Sequence, residues 1–594
     1  MGSASEGVEE AEHQGCYTTD IAFKRFSIAN SYCYYCGSAE LSDERFGFHI
    51  PDAMNGLWRP PIRIARSFEI SEDGISLSPF AMEMFADHAV FHFRHFNLKV
   101  SIPPGTVLTV EFEGLEDHAL FILHLDPMLI WLSEGELKWK AEEFDGGILL
   151  NFEQPRLNFL ILAENGSLTL SGKDVLLHAR KGAALKIRDT SQINGQNGRL
   201  QKLLSSTVFH SENKKLEQVL YWSKLNLHWL YHIQEGVGNG ITAGHPDFPW
   251  FFGFDTMLCI DAMLSVGMWE EARESIETLS RYARAQNGQV PHEIVTNGRI
   301  YNPGDLEESA LYPAALHSYL LWTGDRAFVS EHMSDAFSAL RYVYSSEFVG
   351  RGAVEDRDRG KGIEVDTVAF FLMGVRSFVE MSKTLDFKCD RLSELMEATD
   401  VAEKLLDSMW LPSESLYANR IIDGKPLFLG FWNSIAPFVA GVAQRRRFSE
   451  FVSSSKGGLK HISSEEGILN DRRTGAVMPV NNGLMSLAAW RYGNDAVASR
   501  FYNLNLQAFG KYMPCAMPEI VNRRDGCYLQ AWSAAMIITP LLRGALGLHI
   551  ADGVKVAPMA KSLFNELSIE RLRVRECTFS LDFSSDGFSV RRTS

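Results

Sequence analysis

Two periods of hydrophobicity divide the chain. Between about residues 17 and 195, apolar and polar side chains alternate, as in Phe91-His-Phe-Arg-His-Phe-Asn-Leu-Lys-Val100 and Val107-Leu-Thr-Val-Glu-Phe-Glu113. Side chains two apart share one face of a strand, so this alternation predicts half-buried β-strands, and the Gly, Pro, Asp and Asn between them predict turns. Many short strands of this kind predict an N-terminal β-sandwich over 17–195. Residues 1–16, rich in Glu, Ser and Gly, read as a disordered tail. Residues 196–212, with Gly and Asn at the start, read as a linker.

From Leu216 the period lengthens: Leu216, Val219, Leu220, Trp222, Leu225, Leu227 and Leu230 recur at helical spacing. The pattern predicts helices over 213–233, 254–267, 269–286, 305–324, 326–345, 364–384, 391–410, 430–442, 446–454, 480–492, 494–508 and 530–546. Twelve helices with short links make six antiparallel pairs, which predicts an (α/α)6 toroid over 213–550. The segment 551–594 returns to alternation at Leu567–Val574 and Thr578–Phe583 and predicts a closing β element.

Composition narrows the function. A chain of 594 residues with 45% hydrophobic and 22% charged content has enough apolar material for more than one core. Its net charge of -16 repels nucleic acid and anionic membranes and suits a neutral partner. There is no charged-then-apolar leader, and no stretch approaches the ~18 apolar residues of a membrane span. The eight cysteines are scattered, which predicts reduced thiols and a cytoplasmic protein. Cys33 and Cys36 have the spacing of half a zinc ribbon but no second ligand pair, so no metal is expected. Phosphate loops, nucleophile elbows and zinc-protease motifs are absent from the sequence, and no cofactor is expected. Oligomeric state is left open.

Two acidic loops carry the candidate chemistry. One holds Glu355 and Asp356, the other Met517-Pro518-Glu519. Glycoside hydrolysis needs one protonated and one ionised carboxyl group across the same sugar, about 6.5–9.5 Å apart when configuration inverts. Glu355 is read as the general acid and Glu519 as the general base. Asp356 either raises the Glu355 pKa or binds a hydroxyl, and which of the two is the acid stays open. Asp358 reads as a solvated loop charge.

The tract His245-Pro-Asp-Phe-Pro-Trp-Phe-Phe-Gly-Phe-Asp-Thr256 adds aromatic faces for stacking on sugar rings, with Trp250 and Phe251 as candidates. Asp255 is either a sugar ligand or a helix N-cap. Loops entering further helices supply His292, Glu293, Tyr301, Asn302 and Asp305 as candidate ligands, with capping a rival role for Asp305. Trp432, Gln530 and Trp532 stand at two later helix starts and complete the expected substrate-binding set.

Over residues 245–550 the chain resembles the glucosidase domain of glycogen debranching enzymes and glucoamylase-like glycoside hydrolases. The resemblance rests on Pro249-Trp-Phe-Phe-Gly-Phe-Asp255-Thr256, Gly288-Gln-Val-Pro291, Tyr301-Asn-Pro-Gly-Asp305, Pro518-Glu519 and Gln530-Ala-Trp532-Ser533, in that order. It implies an (α/α)6 barrel after a β-sandwich, and cofactor-free, inverting, exo-acting cleavage of α-glucosidic bonds in glycogen- or starch-type glucans or oligosaccharides. It assigns the base to Glu519 and places Glu355 nearest the acid's position. Two departures stand out: no Trp-Met-Asp tripeptide in the acid loop, and Phe254 where many relatives carry Arg. A trehalase or other disaccharide hydrolase, or an inactive carbohydrate-binding protein, are the competing readings. The linkage is not readable.

Overall fold

The computed structural model describes residues 15–130, 137–144, 146–190, 198–350, 361–551, 553–560, 563–584 and 587–593. The N-terminal region is sheet-rich. Its strands, from Cys16–Thr18 to Asp174–Asp189, are hydrogen-bonded into one continuous 15-stranded antiparallel sheet. Alternation makes the core here: along Ala119–Leu129, Phe121, Leu123 and Leu125 point inward between more exposed neighbours. The sheet folds back on itself. Phe26 and Phe91 belong to strands far apart in the hydrogen-bonding order, yet their rings meet edge-to-face at 4.9 Å.

A helical region follows. Among the described residues its main helices are α1 (Lys214–Trp229), α2 (Gly253–Ser265), α3 (Trp269–Ala285), α4 (Glu307–Thr323), α5 (Arg326–Ser345) and α6 (Val365–Leu385). They continue with α7 (Leu392–Ser408), α8 (Ala436–Val439), α9 (Arg445–Ser453), α10 (Pro479–Arg491), α11 (Asp495–Ala508) and α12 (Ala531–Thr539). The even-numbered helices touch in cyclic order: α2 packs on α4, α4 on α6, α6 on α8, α8 on α10, α10 on α12, and α12 on α2. Sequence explains which helices lie inside. In Ala531–Thr539 all but Trp532 are buried, as befits a helix with partners on every side. In Trp269–Ala285 only one stripe is apolar, with Ala272, Ile276, Leu279 and Ala283 turned inward. Glycines allow the closest approaches: a Cβ on Gly374 would lie 2.3 Å from the Ala310 carbonyl oxygen, across the α4–α6 contact.

The region read as a linker is partly structured. Its Val208–Ser211 strand pairs with Leu567–Val574, which continues to Cys577–Ser584 and Gly587–Arg592 in a four-stranded sheet. The N-terminal sheet is tied to the helices by the Trp229 indole on the Ala86 carbonyl, 2.9 Å, and by Lys24 on the carbonyls of Gly510 and Lys511. No described helix is long and apolar enough to cross a membrane. No cluster of three or more described His, Cys, Asp or Glu side chains could hold a metal ion.

Candidate active site

Five of the six inner helices, and the turn that leads into the sixth, begin at one cavity. The residues lining it include Phe254 and Asp255 from α2, Glu307 from α4, Asp366 from α6, Asn481 from α10 and Trp532 from α12. The short helical turn Trp432–Ile435 that leads into α8 adds Trp432 and Asn433. Helix N-termini carry partial positive charge and unpaired N–H groups, so carboxylates gather there at reduced cost. The cavity holds about 300 Å³, at the small end of ligand sites.

Two small sheets position the linings. One joins Tyr231–Gln234, Gly238–His245, Phe248–Phe252, Glu293–Ile294 and Ile300–Asn302, and Leu529–Gln530 pairs with His245 and Gly244 at its edge. Phe252 and Gln530 are thereby fixed one residue before α2 and α12. The other joins Val349–Gly350, Gly362–Glu364, Arg420–Ile422 and Lys425–Leu427, and delivers Glu364 to the start of α6. Glu364 is paired with Arg420.

Carboxyl groups dominate the walls. Asp255 is buried and accepts a hydrogen bond from the Gln530 amide at 3.1 Å. Burial pushes its pKa up to about 7, against the opposing pull of His292. Asp366 is pushed to about 6 by burial, although the Thr367 N–H at 3.1 Å and the Asn433 amide at 3.2 Å hold it back. Glu307 is driven well above the usual carboxylate range, first by loss of water and then by Glu308, Asp305 and Asp366 nearby. Carboxyl groups whose surroundings push their pKa values apart are what acid–base chemistry uses.

Glu519 faces the same cavity, and its Oε2 accepts the Cys527 main-chain N–H at 2.8 Å. Apolar faces come from Phe248, Phe252, Phe254, Trp432 and Trp532, with the Phe254 ring 6.3 Å from Trp432 and 6.4 Å from Trp532. The buried Trp532 indole N–H and the Gln530 Oε1 have no hydrogen-bond partner among the described residues. Such atoms need water or a ligand to satisfy them.

Of the residues expected from the sequence, Asp255, His292, Trp432, Glu519, Gln530 and Trp532 line this one cavity. His292 is held by Glu308, with Nδ1 2.5 Å from Oε1. The others lie behind the wall. Trp250 is fully buried and donates its indole N–H to Glu293 at 3.0 Å, so neither is part of the lining. Phe251 is buried in the core, and Tyr301 packs against a neighbouring apolar cluster. Asn302 accepts the Gly304 N–H in a turn. Asp305 is buried beside Gly350, where an added Cβ would lie 2.4 Å from its Oδ2. The aromatic rings that do line the cavity are those of Phe248, Phe252, Phe254, Trp432 and Trp532. Glu355 and Asp356 lie outside the described residues.

Sequence reading missed Glu307, Glu364, Asp366 and Asn433. The first three carried a signal, since each sits at a helix start like the residues that were found. Asn433 carried none. It is oriented by Asn419, whose amide nitrogen donates to the Asn433 side-chain oxygen at 2.5 Å and to the Ser434 hydroxyl at 3.0 Å.

Residues 224–382 match the amylo-alpha-1,6-glucosidase family model. The match bears out the family resemblance over the motifs at 249–256, 288–291 and 301–305, and ends before those at 518–519 and 530–533. No curated protein matches the chain. Among solved structures, a bacterial glucoamylase complexed with acarbose is similar with a TM-score of 0.64 and 12% identity, over 88% of this chain and 94% of the glucoamylase. A putative kojibiose phosphorylase from human microbiome aligns with a TM-score of 0.50 and 10% identity, over 96% of this chain and 95% of the other. A family 78 rhamnosidase of a Bacillus species aligns with a TM-score of 0.51 and 12% identity, over 78% of this chain and 53% of its own. At these identities the likeness concerns the fold. It places a sheet-rich N-terminal region and a helical region in the arrangement of glucoamylase-like glycoside hydrolases and phosphorylases.

Proposed function

We propose that this chain is an inverting, exo-acting α-glucosidase built on an (α/α)6 toroid, trimming single glucose units from glycogen- or starch-type glucans or oligosaccharides. The observation that carries the reading is Glu519 in a small cavity ringed by aromatic faces and by carboxyl groups of raised pKa. Cyclic packing of the even-numbered helices supports the toroid. A cavity this small favours one terminal sugar over an internal stretch of chain.

In this mechanism Glu519 takes a proton from water as the water attacks the anomeric carbon, while a protonated carboxyl group opposite donates to the departing glycosidic oxygen. We assign that donor to Glu355. Glu307 is the second candidate, because burial, with Glu308, Asp305 and Asp366 nearby, raises its pKa well above the usual carboxylate range. Trp432 and Trp532 would stack on the sugar, with Asp255 and Gln530 taking its hydroxyls. The cysteines, all free thiols, suit the cytoplasmic setting we propose.

The test is incubation with maltose, isomaltose, panose, trehalose and glycogen in phosphate-free buffer, following glucose by NMR. The expected result is β-glucose as the first product from at least one substrate. Release of α-glucose first, or dependence on added phosphate, would reject the inverting hydrolase.

A further inference from the structure

A second cavity, of about 510 Å³, shares no lining residue with the candidate active site. Its floor is one face of three neighbouring strands of the N-terminal sheet, Asn97–Ser101, Leu108–Glu113 and Asp174–Asp189. Register sets the pattern. Thr109 on the middle strand stands across from Ser101 on one side and Lys186 on the other, and Glu111 stands across from Lys99. Arg188, two residues beyond Lys186, shares the face. The alternate positions, Leu98, Val100, Leu108, Val110, Leu185 and Ile187, point the other way into the core. Such a polar face suits open water. Here it is walled in by the short helix Arg199–Ser205, by residues 103–106 and by His228 of α1.

Ser101 and Thr109 are only 6% and 5% exposed, yet neither hydroxyl has a hydrogen-bond partner among the described residues. Buried hydroxyls call for a partner, and these two line the cavity. The charges are lopsided. Lys99, Lys186, Arg188 and Arg199 line the space against Asp87 and Glu111, on a chain whose net charge is -16. Some of these charges are committed. Lys186 donates to Glu164 at 2.6 Å, Asp87 lies 2.6 Å from the His88 Nδ1, and Arg199 lies 3.8 Å from Glu274. Lys99 and Arg188 make no ion pair among the described residues. They flank Thr109 from opposite directions along the strands.

We infer that this cavity binds a small phosphate monoester of sugar-phosphate size, its phosphate held on the hydroxyls of Ser101 and Thr109 between Lys99 and Arg188. A phosphate monoester carries a charge of about -1.5 to -2 near neutral pH and three acceptor oxygens, which two uncommitted cations and two hydroxyl donors satisfy. A phosphate group alone would leave most of the space empty, so the rest of the ester lies along Tyr32 and Pro103, which also line it. The inference goes beyond the glucosidase reading and does not depend on it.

Calorimetry on the full chain at low ionic strength tests this, with glucose 1-phosphate, inorganic phosphate and maltotriose as probes. Glucose 1-phosphate is expected to bind and inorganic phosphate to compete with it. Arg188→Glu is expected to weaken glucose 1-phosphate about tenfold or more, and Thr109→Val about threefold or more. Arg188 is exposed, so its replacement leaves the fold intact. Maltotriose affinity is expected to stay within about twofold in both variants, because the active-site cavity is untouched. Three outcomes would overturn the inference. One is no saturable binding of glucose 1-phosphate up to about 10 mM. Another is equal binding by the parent and Arg188→Glu, which would put the ester elsewhere. The third is a loss of maltotriose rather than glucose 1-phosphate in Arg188→Glu, which would make this a site for neutral sugars.

Discussion

Glu519 and Cys527 are bonded to each other twice: the Glu519 N–H donates to the Cys527 carbonyl at 2.9 Å, and the Cys527 N–H donates to the Glu519 Oε2 at 2.8 Å. One bond closes the loop and the other aims the side chain, so the candidate base is oriented by the loop that carries it. Glu519→Gln keeps the size and an acceptor oxygen but cannot take a proton from water. Turnover should fall about a hundredfold to ten-thousandfold, the range of a lost general base. Far-UV circular dichroism and melting temperature should barely change. Wild-type turnover in the variant would remove Glu519 from the chemistry.

Gly526 completes that loop. Its φ is +99°, a conformation that costs a residue with a side chain, and a Cβ there would lie 2.7 Å from Glu519 Oε2. The carboxylate tip is the part free to yield, so Gly526→Ala should shift it off the Cys527 N–H. We expect kcat to drop about tenfold or more, since displacements near 1 Å at a reacting group are that costly, alongside a stability loss of about 1–2 kcal/mol from backbone strain. Steady-state kinetics beside urea melts would separate the two. A variant with lower stability but unaltered kcat would show that Glu519 does not need this support.

How much of this was legible in the chain depends on the kind of residue. Helices such as Arg326–Ser345 lie where periodicity put them, because a buried stripe repeated over five turns is a strong signal. Trp432, Gln530 and Trp532 line the cavity, as expected of residues at the starts of neighbouring helices. Trp250 looked the same as they do in sequence, yet its indole is committed to Glu293 inside the wall. A buried aromatic and a cavity-lining one differ only in what the fold packs over them. In sequence Glu307-Glu308 look like ordinary acidic residues of a first helical turn, and it is burial in the folded chain, with Glu308, Asp305 and Asp366 beside it, that makes Glu307 unusual. Asn419 was beyond sequence reading altogether, since its role is a set of hydrogen bonds to a loop ten or more residues away.

The two candidates for the acid can be separated by leaving group. Glucosyl fluoride departs without protonation, whereas a sugar does not. Removing the true acid should therefore cost about a hundredfold or more on maltose and far less on the fluoride. Glu355→Gln is expected to show this split. Glu307→Gln is expected to lower both rates by similar factors, as loss of a wall residue would. The reverse pattern would move the acid to α4.

Stability should depend on pH through Asp255. Its pKa is raised from an ordinary 3.8 to about 7 by burial, so the folded chain holds this proton where the unfolded chain has released it. A group of this kind stabilises fully below the unfolded value and loses its contribution as pH rises through the folded one. Between about pH 4 and pH 7 it should therefore make stability decline with rising pH, by up to about 1.4 kcal/mol per pH unit for one proton. Asp366, raised from 3.8 to about 6, adds a similar slope over the lower part of that window. Asp255→Asn removes the first contribution and keeps the shape, so its unfolding free energy should vary less steeply with pH than that of the parent. Urea melts of both proteins at half-unit steps would read the difference directly. Parallel curves would mean that Asp255 is ionised in the folded chain and that the Gln530 amide, 3.1 Å away, is bonded to a carboxylate.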